Sequence, residues 1–120
     1  MIHVSDMDKS LKFYNENLGL QVALNAKQFN HAEVGPDDPL TKIGLHATGK
    51  KMKRKRFTGI VFDTDDIYAL YETLRNKGVK FTRKSTKTKW GGIVSDFLDH
   101  DNNEFEVVQD PEHYQRKHAR

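Results

Sequence analysis

Cysteine is absent from this chain, which excludes disulfides and thiolate metal sites and is compatible with a reducing cytoplasm. Long apolar runs are absent too: no stretch approaches the roughly 20 residues of a membrane span, and the N-terminus lacks the charged and apolar regions of a signal peptide. The expectation is a soluble, cytoplasmic protein with no membrane partner. No nucleophile arrangement, phosphate-cradling glycine loop or paired general acid and base can be picked out from spacing, and no duplex-reading motif is visible.

What is present begins with charge. The formal net charge is +3, but Lys50, Lys51, Lys53, Arg54, Lys55 and Arg56 supply six positive charges, and Arg116, Lys117 and Arg120 three more. Subtracting those nine leaves −6 on the rest, so the folded body is acidic and the basicity is local. Such a run attracts phosphate or an acidic partner. Its position between two similar halves reads more simply as a solvated linker, so a nucleic-acid partner is not expected.

The two halves are the strongest pattern. Ser5 and Asp6 lead into Met7, Leu11, Tyr14 and Leu18, then Gly19, then the alternating Leu20, Gln21 and Val22. Asp65 and Asp66 lead into Ile67, Leu70, Tyr71 and Leu74, then Gly78, then Val79, Lys80 and Phe81. Each copy is a capped amphipathic helix closed by a glycine and continued by a strand, and a repeat spanning half the chain points to duplication within one domain. A chain of 120 residues is long enough to bury an ordinary core without staples.

Alternation and turn residues complete the outline. Strands are predicted over 2–4, 20–24, 29–34 and 42–47 in the first half, with a helix over 7–18 and a turn at 35–39. In the second half strands are predicted over 58–63, 79–83, 93–98 and 104–108, with a helix over 67–77 and a tight polar turn at 99–103. The organisation is module 1 over 1–48, a basic linker over 49–57, module 2 over 58–109 and a polar tail over 110–120. Each module reads as βαβββ. The predicted fold class is α+β, with the two modules forming one curved, half-closed mixed sheet, helices on the convex side and a small-molecule site in the concavity.

These residues resemble the vicinal oxygen chelate superfamily, which includes glyoxalase I, bleomycin resistance proteins and extradiol dioxygenases. The run from Val4 to Tyr14, closed by Leu18, Gly19 and Leu20, is similar to its first-module signature. Phe62 to Asp66, then Trp90, Gly91 and Gly92, then Phe97 to Glu106 are similar to its second. Within the last segment His100 and Asn102 stand where the family has proline and glycine. Asparagine tolerates the left-handed backbone of a tight turn, so that second change is mild.

The resemblance implies a divalent metal such as Zn, Ni, Fe or Mn, held by one ligand from the first and one from the last strand of each module, acting as a Lewis acid on neighbouring substrate oxygens. It also implies a homodimer. The family's usual first-ligand position falls two residues ahead of Met1, so that ligand either precedes the given sequence or is lacking, and within the remainder of that strand His3 has the inward parity. The second falls at Gly44 or His46, of which only His46 can ligate. The third falls at Gly59, where histidine would be typical, and the fourth at Glu106, a metal ligand that could shuttle a proton. Glu106 thereby carries the catalytic and metal role, His46 the metal or substrate role, and His3 a substrate-binding role. Each has a bland counterpart: a surface carboxylate, a partly buried structural histidine, a frayed strand end. His31 could also face inward, and Trp90 is an aromatic wall over a ligand or a lid over the core.

Two functions are consistent with these residues. One is a glyoxalase or bleomycin-resistance type protein, with metal-dependent lyase or dioxygenase chemistry left open. The other is a metal-free protein that binds or sequesters a small aromatic or cationic compound, which the gap at Gly59 favours.

Overall fold

The computed structural model describes residues 1–38 and 40–111. Pro39 of the expected turn and residues 112–120 of the expected tail lie outside the described residues. The chain forms two compact units, Met1–Arg56 with Asp99–Asn103, and Phe57–Leu98 with the stretch from Glu104 onward.

In the first unit, β1 (Ile2–Val4) leads into α1 (Met7–Lys12). The Asp6 carboxylate accepts the Lys9 amide at 3.1 Å, so the acidic residue ahead of the apolar stripe caps the helix. The predicted helix over 7–18 stays α-helical only to Lys12. Phe13–Asn17 forms a wider π turn, in which Leu18 N–H reaches Phe13 C=O at 3.1 Å. The widened turn buries the adjacent rings of Phe13 and Tyr14 together. Gly19, at φ +76°, then reverses the chain.

Three strands come next: β2 (Gln21–Ala26), β3 (His31–Gly35) and β4 (Ile43–Ala47). β3 begins two residues later than the sequence suggested, because Lys27–Phe29 coil into a 3₁₀ turn that Asn30 ends in the left-handed region. The sheet order is β1-β4-β3-β2, with β1 parallel to β4 and the other pairs antiparallel. Ile2, Val4, Ala32, Val34, Ile43 and Leu45 are buried with Met7, Leu11 and Tyr14, and α1 packs against β3 and β4. The alternate residues of those strands therefore take the helix-free face.

The Asp99–Asn103 turn completes this unit. Asp99 Oδ1 accepts the amides of Asp101 (2.8 Å) and Asn103 (2.9 Å), and Oδ2 accepts the Tyr14 hydroxyl (2.6 Å) and Asn103 Nδ2 (2.8 Å). Asn103 Nδ2 also donates to His3 C=O at 2.9 Å. Asn102 adopts φ +63°, the left-handed conformation its position demands, and donates to Met52 C=O at 2.6 Å, tying down the basic segment.

The second unit repeats the plan with β5 (Arg56–Asp63), α2 (Ile67–Asn76), β6 (Lys80–Lys87), β7 (Ile93–Leu98) and β8 (Asn103–Gln109), in the order β5-β8-β7-β6. Asp66 caps α2 by accepting the Ala69 amide at 3.1 Å, and Gly78 at φ +88° closes it. Phe62, Phe81, Phe97 and Phe105 cluster at centroid separations of 5.5 to 6.1 Å, some pairs stacked and some tilted, and Tyr71 from α2 meets Phe81 edge-on at 4.5 Å. The fold is thus α+β, with a βαβββ order and a four-stranded mixed sheet in each half, as the repeat predicted.

Candidate functional site

Register fixes which side chains share the helix-free face of the first sheet. His3 lies opposite His46 across β1 and β4, and His46 opposite His31 across β4 and β3, so three imidazoles form one row over three strands. The His3 and His46 rings meet edge to face with centroids 5.9 Å apart. His31 Nε2 sits 3.3 Å from Glu33 Oε2, and Lys42 Nζ lies 3.7 Å from the other oxygen of Glu33. All three histidines are half-buried. Glu33 pairs with Gly44, whose missing side chain leaves room beside Met1 and His31.

The helix-free face of the second sheet has a different chemistry. Arg83, Asp96 and Glu106 occupy one row across β6, β7 and β8. Arg83 Nε lies 2.9 Å from Asp96 Oδ2, and its Nη2 donates to Glu106 Oε2 at 3.1 Å. The hydrogen bond to Asp96 leads the causes that hold the Arg83 pKa above its ordinary value, with the charges of Asp96 and Glu106 adding to it against the opposing effect of burial. Asp96 Oδ1 is buried with no hydrogen-bond partner among the described residues. One row step away, the Thr82 hydroxyl donates to Glu104 Oε2.

Gly59 sits within β5 at φ +78°, a conformation that side-chain-bearing residues adopt with strain. Beside it, Thr58 Oγ1 donates to Glu104 C=O at 2.9 Å and accepts the Ile60 amide at 3.1 Å, a local kink in the strand. The glycine at the expected third ligand position therefore has a backbone reason to be glycine. Trp90 is 54% exposed at the tip of the β6–β7 hairpin, where its ring lies across Gly92 so closely that a Cβ there would clash. Thr88 closes that turn, its amide and hydroxyl each donating to Gly92 C=O at 2.8 Å. Two surface hollows of the first unit, about 420 and 250 Å³, are lined by other residues and include none of these candidates.

A divalent ion does not fit this donor set. Glu106 already has a cation on it, Gly59 offers no side-chain atom, and of the three histidines in the row His31 is engaged by Glu33, which leaves the nitrogens of His3 and His46. Among the described residues no group of three or more His, Cys, Asp or Glu side chains is placed to hold a metal. A metal site generally needs at least three protein ligands.

Two four-stranded sheets, each built in βαβββ order with one helix, define an α+β fold class. Residues 1–107 match the Glyoxalase/Bleomycin resistance protein/Dioxygenase superfamily, and the chain belongs to that superfamily. A superfamily member from Sphaerobacter thermophilus has a crystal structure that superposes with a TM-score of 0.78 at 33% identity, covering 91% of this chain and 92% of that one. A probable lactoylglutathione lyase from Synechocystis is 32% identical, with 91% of each chain covered. An antibiotic binding protein from a Streptomyces species shares 26% identity at a TM-score of 0.71, covering 90% and 89%. Among the described residues no helix is long and apolar enough to cross a membrane.

Of the residues expected from sequence, the first sheet sets His3 beside His46, and the second sheet holds Glu106 in its ion-paired row. Arg83 and Asp96 were missed. Simple alternation puts Arg83 on the same side as Phe81, whose partner is the core residue Phe97. A register shift between Phe81 and Arg83 turns the guanidinium to the other face, opposite Asp96. His31 joins the row through the β3–β4 register, which sequence alternation does not supply.

Proposed function

We propose that this chain is a small-molecule-binding protein of the glyoxalase and bleomycin-resistance kind, holding its ligand on the helix-free face of the second sheet without a divalent metal and working as a homodimer. One observation carries the reading: Arg83 bridges Asp96 and Glu106, so the carboxylate expected to ligate a metal is already neutralised by a side chain. A pre-formed, half-buried polar row suits binding and orientation of a ligand with hydrogen-bonding groups. The antibiotic binding relative supports the same direction.

A second reading, a metal-dependent lyase, is supported by relatives named lactoylglutathione lyase or probable lactoylglutathione lyase at 28 to 32% identity. It requires Glu106 to exchange Arg83 for a metal. Titrating a panel of aromatic and amine-bearing antibiotics, bleomycin among them, against Trp90 fluorescence before and after dialysis with a chelator separates the two. Equal affinity in both states is the expected result. Chelator-sensitive binding, or formation of lactoylglutathione that returns with Ni, Zn, Fe or Mn and disappears in Glu106→Ala, would replace it with the lyase.

A further inference from the structure

Asp96 and Glu106 lie directly opposite each other on neighbouring strands, an arrangement of like charges that destabilises a sheet unless something compensates it. The compensation here is a single guanidinium, whose Nε and Nη2 each take one of the two carboxylates. Solvent cannot take its place fully: the side chain of Asp96 is 16% exposed and its Oδ1 is shut off from water, while Glu106 is 28% exposed. Arg83 reaches this face only through the register shift in β6, so the backbone is built to deliver it there.

We propose that Arg83 occupies the place a divalent cation would take beside Glu106, so that this face excludes divalent ions through a fixed cation of its own. The proposal rests on the metal-independent reading above and adds that Arg83 is the competitor a divalent ion would have to displace, with Asp96 as the second carboxylate at stake. Both a guanidinium and a hard divalent ion satisfy paired carboxylates, one by forked hydrogen bonds and the other by oxygen coordination. They compete for the same oxygens. An ion on Glu106 would remove half of Arg83's anchorage and set two like charges side by side. Removing the guanidinium alone leaves two facing carboxylates and an uncompensated charge, with oxygen chemistry that matches Mn²⁺, Mg²⁺ or Ca²⁺ more closely than a thiophilic metal.

The test is Mn²⁺ binding to the full chain, measured by calorimetry and by the paramagnetic resonance signal of free Mn²⁺. The forms compared are the unaltered protein, Arg83→Met, Arg83→Lys and the double variant Arg83→Met with Glu106→Gln. Arg83→Met should bind Mn²⁺ about ten- to a hundredfold more tightly than the unaltered chain. The double variant should lose that gain, and Arg83→Lys, which keeps the charge, should not show it. An Arg83→Met protein that binds Mn²⁺ no better than the unaltered chain overturns the proposal. If Arg83→Met does not fold, as judged by circular dichroism, the unaltered chain decides. One Mn²⁺ bound per chain and lost in Glu106→Gln contradicts the proposal, and no saturable uptake supports it. Should the Mn²⁺ results come out as expected while a chelator abolishes antibiotic binding, the binding proposal fails and the role of Arg83 stands.

Discussion

The two sheets share strand order and helix placement, yet their helix-free faces satisfy polar groups by opposite means. On the first, three histidines line up across β1, β4 and β3, and among the described residues only His31 of the three has an acidic partner, Glu33. On the second, one arginine holds two carboxylates in an ion-paired row. The backbone plan accordingly says where a site can form and leaves its chemistry to a few side chains. A second contrast concerns anchorage. The first unit contains the buried Asp99 turn, with four hydrogen bonds on one carboxylate, whereas the ion row of the second unit is partly open to solvent.

The largest expected effect breaks that contrast at its buried end. Asp99→Ala removes the buried acceptor of the Tyr14 hydroxyl, of two backbone amides and of one Asn103 Nδ2 hydrogen bond, and should lower unfolding stability by about 3 kcal/mol or more in a denaturant melt. Glu106→Gln, which keeps size and removes one charge from a partly exposed pair, should cost less than about 1 kcal/mol in the same assay. Equal losses in the two variants would show that the anchorage contrast is mistaken.

Between these lies Gly59. Space around its Cα is open, so Gly59→Ala tests backbone conformation rather than packing, and a left-handed alanine at φ +78° should cost roughly 1–2 kcal/mol. A neutral outcome would mean that β5 can straighten and that the position is free to bear a ligating side chain.

The smallest effect is a difference in pH dependence. Burial, and after it the neighbouring Asp99 charge, holds the Tyr14 pKa well above 10.0, so the folded chain keeps a proton that the unfolded chain releases. The associated stability is complete below pH 10 and declines as pH rises through the unfolded value toward the folded one. Denaturant melts between pH 9 and 11 should fall more steeply for the unaltered protein than for Tyr14→Phe. Parallel slopes would remove Tyr14 from the account.

Much of this architecture could be read from residues alone, because helix caps and closing glycines act locally. Asp6, Asp66, Gly19 and Gly78 each do what their type and place predicted. Asn102 likewise takes the left-handed turn position. What escaped depends on interruptions of regular periods. The π turn at Phe13–Asn17 shortens an apparent α-helix, and the polar residues 84–87 extend β6 without an apolar alternation to mark them. The register shift after Phe81 inverts the facing of Arg83, so the row that gives the second face its chemistry lies beyond any reading that assumes a period of two. The histidine row needed the cross-strand register as well, since its members lie far apart in sequence.

Native mass spectrometry of the unaltered chain, purified from cells supplied with Ni, Zn, Fe and Mn, tests the central claim most directly. The account predicts the mass of the polypeptide without a stoichiometric metal, unchanged by Glu106→Gln. A metal bound one per chain and lost in Glu106→Gln would contradict it.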